Sequence, residues 1–233
     1  MRYIFNKRFM KRIVIVVSIF ILILFYFFSR SVKRGFLHQA DFNTTVRVQD
    51  EIDRSIHLRM ASFVDNVFVA STVAASPQVS VVFVGLLTIA AIYDWKKKKF
   101  RWHALAIPVL FALLTLGEVY GKSVVNHPAP PFFMIKHPTT IFPQFYINES
   151  YSYPSGHTAR AMFLGIVFLS VVAGHLLFAR KNLKKWLAIA GIVLLSVLIV
   201  ATGKIYLGEH WLSDIIGGGL LGSGLGLLGL MSI

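Results

Sequence analysis

The run IVIVVSIFILILFYFFS, Ile13 to Ser29, carries no charged side chain over nearly the length of helix, roughly 20 residues, that crosses a bilayer core. In lipid every backbone N–H and C=O must be paired inside the protein, so a single apolar segment of this kind can only be helical. Five more segments repeat the pattern: about Gln78 to Trp95, Trp102 to Tyr120, Ser155 to Phe178, Trp186 to Thr202 and Trp211 to Leu230. A hydrophobic content of 56% and a mean hydropathy of +0.67 exclude an ordinary soluble domain. The chain is therefore expected to be all-α, a polytopic membrane helix bundle of six transmembrane helices plus an interfacial helix.

Between these segments the chain divides itself. Residues 1–30 read as a basic cytoplasmic tail and a signal anchor, because the apolar run exceeds a signal peptide's core and no small-residue cleavage site follows. Residues 31–76 read as an outer segment, with DEIDRSIHLRM as an interfacial amphipathic helix and a short interfacial helix ahead of Pro77. Residues 77–233 read as the catalytic helical core. Proline both ends the preceding helix and starts the next, which places a helix start at Pro77.

The net charge of +14 is distributed as short clusters between apolar runs, not as one basic face, so it argues for topology signals and lipid headgroups and against nucleic acid. Basic residues from Arg2 to Arg12, from Lys96 to Arg101 and from Arg180 to Lys185 saturate three short loops. By the positive-inside rule these loops and both termini are cytoplasmic. The segments 29–76, 121–154 and 203–212 then face outward, at the cell membrane's outer or periplasmic side. The absence of cysteine excludes disulfides, thiolate metal ligands and cysteine nucleophiles.

Three polar stretches reach that outer side at one depth. In LGEVYGKSVVNHPAPPF, Lys122 lies just past a span, one helical turn from Glu118. In YPSGHTAR, Ser155 and Gly156 open a helix whose free N–H groups and dipole favour an anion, with His157 beside it and Arg160 one turn on. In GKIYLGEHWLSDIIGG, Lys204 precedes a turn, and His210 and Asp214 share a helical face, so the carboxylate can fix one imidazole nitrogen and leave the other nucleophilic. Two histidines, several cations and a helix N-terminus suit phosphoryl transfer without a metal or cofactor: one imidazole attacks, the other protonates the leaving oxygen, and the cations neutralise the equatorial oxygens. A zinc site built on the two histidines has no evident third ligand besides Asp214, and the surrounding cations oppose a dication.

These motifs resemble those of the type 2 phosphatidic acid phosphatase family, K-x6-RP, PSGH and SR-x5-H-x3-D in that order. Pro154 to His157 match fully, His210 and Asp214 match at the family spacing, and Lys122 and Pro130 match in the first motif. Ala129 and Lys204 stand where the family has arginine, and Gly203 where it has serine. The resemblance implies His210 as the nucleophile of a phosphohistidine intermediate, Asp214 as its orienting partner, His157 as general acid and base, and Lys122, Ser155, Gly156 and Lys204 as phosphate ligands. Arg160 is the leading candidate to replace the missing arginine charge, with His127 and Lys136 behind it. The implied activity is hydrolysis of a membrane lipid phosphate or diphosphate. The alternatives are a phosphotransferase fed by a polyprenyl diphosphate and a non-catalytic lipid-phosphate binder.

Overall fold

The computed structural model describes residues 7–55, 58–94, 98–136, 151–176 and 183–232. Helix α1 spans Lys7–Lys33, α2 His38–Ser55, α3 Leu58–Ala74, α4 Pro77–Ile92, α5 Ala106–Val125, α6 Gly156–Leu176, α7 Leu183–Tyr206 and α8 Leu212–Gly229. A two-residue antiparallel rung, Tyr93–Asp94 with Lys99–Phe100, follows α4. The expected ends at Trp95 and Phe178, and the loop charges Arg2, Lys96, Lys97, Arg180 and Lys181, lie outside the described residues.

The chain is a multi-pass helical membrane protein. Among the described residues, four stretches are long and apolar enough to cross a membrane: Phe9–Lys33, Trp102–Val125, Leu183–Tyr206 and Leu212–Gly229. A fifth candidate is the pair Met60–Ala74 and Pro77–Ile92, bent by 60°. The bend falls at the expected proline: Pro77 occupies the first turn of α4, and the Ser76 hydroxyl accepts the Val79 N–H at 3.5 Å. In α6 the described apolar stretch is shorter, Gly156–Val172. Large apolar side chains point outward from the bundle, among them Val16 on α1, Ile89 on α4 and Ile192 on α7, as a lipid-facing exterior requires.

The amphipathic helix differs from the expected one. Helix α2 begins at His38, well before DEIDRSIHLRM, and takes in its first half; Leu58 to Met60 open α3, and Ile56 and His57 lie outside the described residues. The inward stripe of α2 is Asp41 and Thr45, both buried, with Val48 and Ile52 half-buried, at helical spacing, so the packed face reaches back ahead of the charged stretch. Gln49 fastens this helix to the rest, its amide donating to the carbonyls of Met134 and Tyr206 at 2.9 Å each.

Helix α6 lies at the centre, where Phe163 and Val167 pack with Ile107, Phe111 and Leu114 of α5 and with Leu221 and Leu225 of α8. The glycines at four-residue spacing on α8 make that approach possible. A Cβ on Gly218 would lie 2.3 Å from the Ser155 carbonyl oxygen, and one on Gly222 2.3 Å from the Ala159 carbonyl oxygen. The stripe is thus spent on packing within the chain. Gly222→Val is expected to separate α6 from α8 at a cost of about 1–3 kcal/mol, read as a lowered thermal midpoint in detergent. A midpoint equal to the wild type's would show that the two helices are not packed this closely.

The opposite face of α8 receives α1. Gly224 admits Leu22, whose Cδ2 is 2.6 Å from the position of a Cβ there, and the Ser18 hydroxyl donates to the Gly224 carbonyl. Nearer the C-terminal end of α1, Ser29 and Tyr153 hydroxyls are hydrogen-bonded at 2.8 Å.

Candidate active site

Helices α5, α6 and α7 and the start of α8 each deliver polar side chains to one end of the bundle. Helix α5 stops at Asn126, which adopts a left-handed conformation with φ 54°. This leaves Lys122 in its last turn. The chain crosses from α7 to α8 through residues 207–211, where Gly208 has φ +72° and a Cβ would meet the Met134 carbonyl oxygen at 2.1 Å. Only glycine meets both conditions, and the turn brings His210 back over Lys204, whose carbonyl accepts the His210 N–H at 3.2 Å.

The expected residues converge. His157 lies within electrostatic reach of Lys122, Arg160, Lys204 and His210. Both histidines are almost buried, at 8% and 7% exposure, so each retains only a narrow opening. Burial pushes the His210 imidazole below its ordinary pKa. The Asp214 carboxylate opposes this, and Lys122 and Lys204 add to the lowering.

Asp214 is fully buried and accepts on both oxygens. Oδ2 takes the Trp211 N–H at 2.9 Å and faces His210 Nδ1 at 3.4 Å, while Oδ1 lies 2.9 Å from His127 Nδ1. A carboxylate only accepts, so both imidazoles carry their proton on Nδ1, leaving Nε2 of His210 with its lone pair. The Asp214 backbone carbonyl also accepts the Ser155 N–H at 3.0 Å, which ties the start of α6 to α8. The Ser155 hydroxyl oxygen lies 3.2 Å from the Thr158 hydroxyl and 3.5 Å from its N–H.

Each cation has a carboxylate neighbour. Lys204 is ion-paired with Glu209, Lys122 lies 3.9 Å from Glu118, and Arg160 Nη1 donates to Glu118 Oε2 at 2.7 Å. Arg160 Nε donates to the Ala75 carbonyl at 3.0 Å, so the guanidinium is anchored on two sides. Glu118 was legible only as a partner of Lys122. In the fold its carboxylate bridges Lys122 and Arg160 and lies against Gly156, where a Cβ would be 2.0 Å from Oε1. Lys136 is engaged elsewhere, with Asp53 at 2.5 Å and over the Tyr206 ring at 4.1 Å.

Asp41 is a site neighbour that sequence reasoning missed. It is buried, accepts the Ser213 N–H and hydroxyl at 2.8 Å each, and faces His127 Nε2 at 3.8 Å. Burial raises its pKa, hydrogen bonds from Ser213 and the charge of His127 lower it, and Asp214 adds to the rise. An acid on the apolar stripe of an amphipathic helix was the available signal. Among the described residues no three His, Asp or Glu side chains are arranged to hold a metal ion.

Fold and site together define a multi-pass membrane protein with a buried cluster of histidines and cations at one end of a helix bundle. The chain belongs to the PAP2 superfamily, whose family model matches residues 104–232. It is 28% identical over 121 residues to phosphatidylglycerophosphatase B of Bacillus subtilis, covering 52% of this chain and 53% of that one. It is 32% identical over 136 residues to undecaprenyl-diphosphatase of Sulfolobus acidocaldarius, covering 56% and 55%. The chain thus matches about half the length of these relatives. The crystal structure of a transmembrane PAP2-type phosphatidylglycerolphosphate phosphatase from Bacillus subtilis shares the fold, with a TM-score of 0.69 over 91% of this chain and 93% of that one at 18% identity.

Proposed function

We propose that the protein is a metal-independent phosphatase of a membrane lipid phosphate or diphosphate, working at the outer face of the cell membrane with both termini cytoplasmic. The observation that carries this reading is the His210–Asp214 pair, with His210, Lys122, Arg160 and Lys204 all within electrostatic reach of His157. His210 Nε2 attacks phosphorus, and the P–O bond to the lipid breaks as His157 gives its proton to the leaving oxygen. His157 then takes a proton from water, which attacks the phosphohistidine and releases inorganic phosphate. Lys122, Lys204 and the amides of the first turn of α6, from Gly156, hold the phosphoryl oxygens, and Ser155 contributes its hydroxyl. Arg160 lends charge from its seat on Glu118.

The relatives' names support a lipid phosphate or lipid diphosphate as substrate class. So does an apolar crevice of about 350 Å³ lined by Leu87, Leu164, Val197 and Ala75, the residue whose carbonyl anchors Arg160. The test is phosphate release from phosphatidic acid, phosphatidylglycerol phosphate and a polyprenyl diphosphate in micelles containing chelator. Release that survives chelation, together with acid-labile label on the protein after a brief quench, is the expected result. Label passed from lipid to lipid without free phosphate would identify a transferase, and neither outcome would leave only a binder.

A further inference from the structure

We propose that His127 is a positioning residue of this site: clamped between Asp41 and Asp214, it sets the orientation in which Asp214 is presented to His210. The proposal rests on the catalytic reading of His210 above. Its geometric basis is that one carboxylate serves two imidazoles. The 2.9 Å contact from His127 Nδ1 to Oδ1 is shorter than the 3.4 Å contact from His210 Nδ1 to Oδ2, so His127 holds Asp214 more closely than the nucleophile does. Asp214 and His127 are both buried, and a carboxylate with one oxygen fixed in this way cannot rotate about its terminal torsion without losing that bond.

His127 is itself fixed from the other side. Its ring stacks on His38 with centroids 5.4 Å apart, and its Nε2 faces Asp41, which is locked to Ser213 by two hydrogen bonds of 2.8 Å. Trp211 completes the enclosure, its ring 6.5 Å from that of His127 and its indole N–H donating to the Pro128 carbonyl at 2.8 Å. The chain Asp41, His127, Asp214, His210 therefore runs from α2 through the loop after α5 to the turn before α8. His127 touches the orienting acid, not the substrate. Its loss is expected to act on turnover and on the ionisation of His210, and to leave substrate affinity almost unchanged.

The direction of the ionisation effect follows from the charges around His210, which are Asp214 on α8, Lys122 on α5, Lys204 on α7 and His157 on α6. Removing the His127 N–H leaves Asp214 a stronger acceptor for the imidazolium, so His210 protonates at higher pH. The acid limb of kcat/KM then moves upward.

The experiment compares wild type, His127→Ala and His127→Asn in lipid-phosphate hydrolysis across pH. His210→Ala measured alongside establishes the underlying reading. His127→Ala is expected to lower kcat by about ten- to a hundredfold with KM within about twofold, and to raise the acid limb. Asparagine places its Nδ2 near the position of imidazole Nδ1, so His127→Asn is expected to recover most of kcat and return the limb. Full activity in His127→Ala overturns the proposal. So does equal loss in both variants with the limb unmoved, which is the pattern of a merely structural residue. If phosphate release does not depend on His210, the catalytic reading itself fails, whatever the His127 variants do.

Discussion

His210→Ala is expected to remove lipid-phosphate turnover by roughly four orders of magnitude or more, because the group that bonds to phosphorus is deleted and no neighbouring side chain replaces it. Lys122, Lys204 and the start of α6 remain in the variant, so its affinity for the lipid phosphate is expected to stay close to that of the wild type. Single-turnover phosphate release and equilibrium lipid binding, measured on the same preparation, separate these effects. Residual turnover within about tenfold of wild type would take the nucleophile's role away from His210. In the wild type the burial that lowers the imidazole's pKa has a visible sign: His210 stays neutral below the pH of an ordinary histidine, near 6.5, and kcat/KM is expected to persist into that acid range. An acid limb at or above the ordinary imidazole pKa would contradict the desolvated setting of the ring.

Glu118→Ala is expected to be as damaging, but through the fold. Arg160 and Glu118 have side chains only 3% exposed, and removing the carboxylate strands a buried guanidinium in a low-dielectric bundle. Breaking such a pair costs about 3–5 kcal/mol, enough to leave little folded protein in detergent at moderate temperature. The paired replacement Glu118→Leu with Arg160→Met is expected to recover much of that stability, because it removes both charges and keeps the volume. Thermal midpoints of the single and double variants measure the coupling. Additive losses would show that the two side chains do not depend on each other. Phosphate release by the double variant then reports how much charge Arg160 lends to catalysis.

What the sequence made legible is governed by the distance over which each signal acts. Span positions could be read because hydropathy is local, and His210 and Asp214 because a separation of four residues fixes them on one helical face. Glu118 was half visible: its local partner Lys122 is one turn away, whereas Arg160, its closer partner in the fold, is 42 residues further along. Asp41 was beyond reach, and His127 was visible as a candidate cation but not as a partner of Asp214. Asp41 meets Ser213 across 172 residues and His127 meets Asp214 across 87, contacts set by tertiary packing and by no periodicity. The start of α2 was misjudged for the same reason, since it follows the face that packs on the bundle and not the density of its charges.

The contact between α1 and α8 bears on how the molecule is made. Ser18 donates to a carbonyl 206 residues later, and Leu22 fills the space left by Gly224, so α1 has its main partner in a helix made much later than itself. Until α8 is synthesised, α1 can pack only through its smaller contacts, such as Val32 with Val125 of α5 and Tyr153. The packing of α1 is therefore expected to be completed only after α8 has been made, with α1 held in waiting while the intervening helices insert.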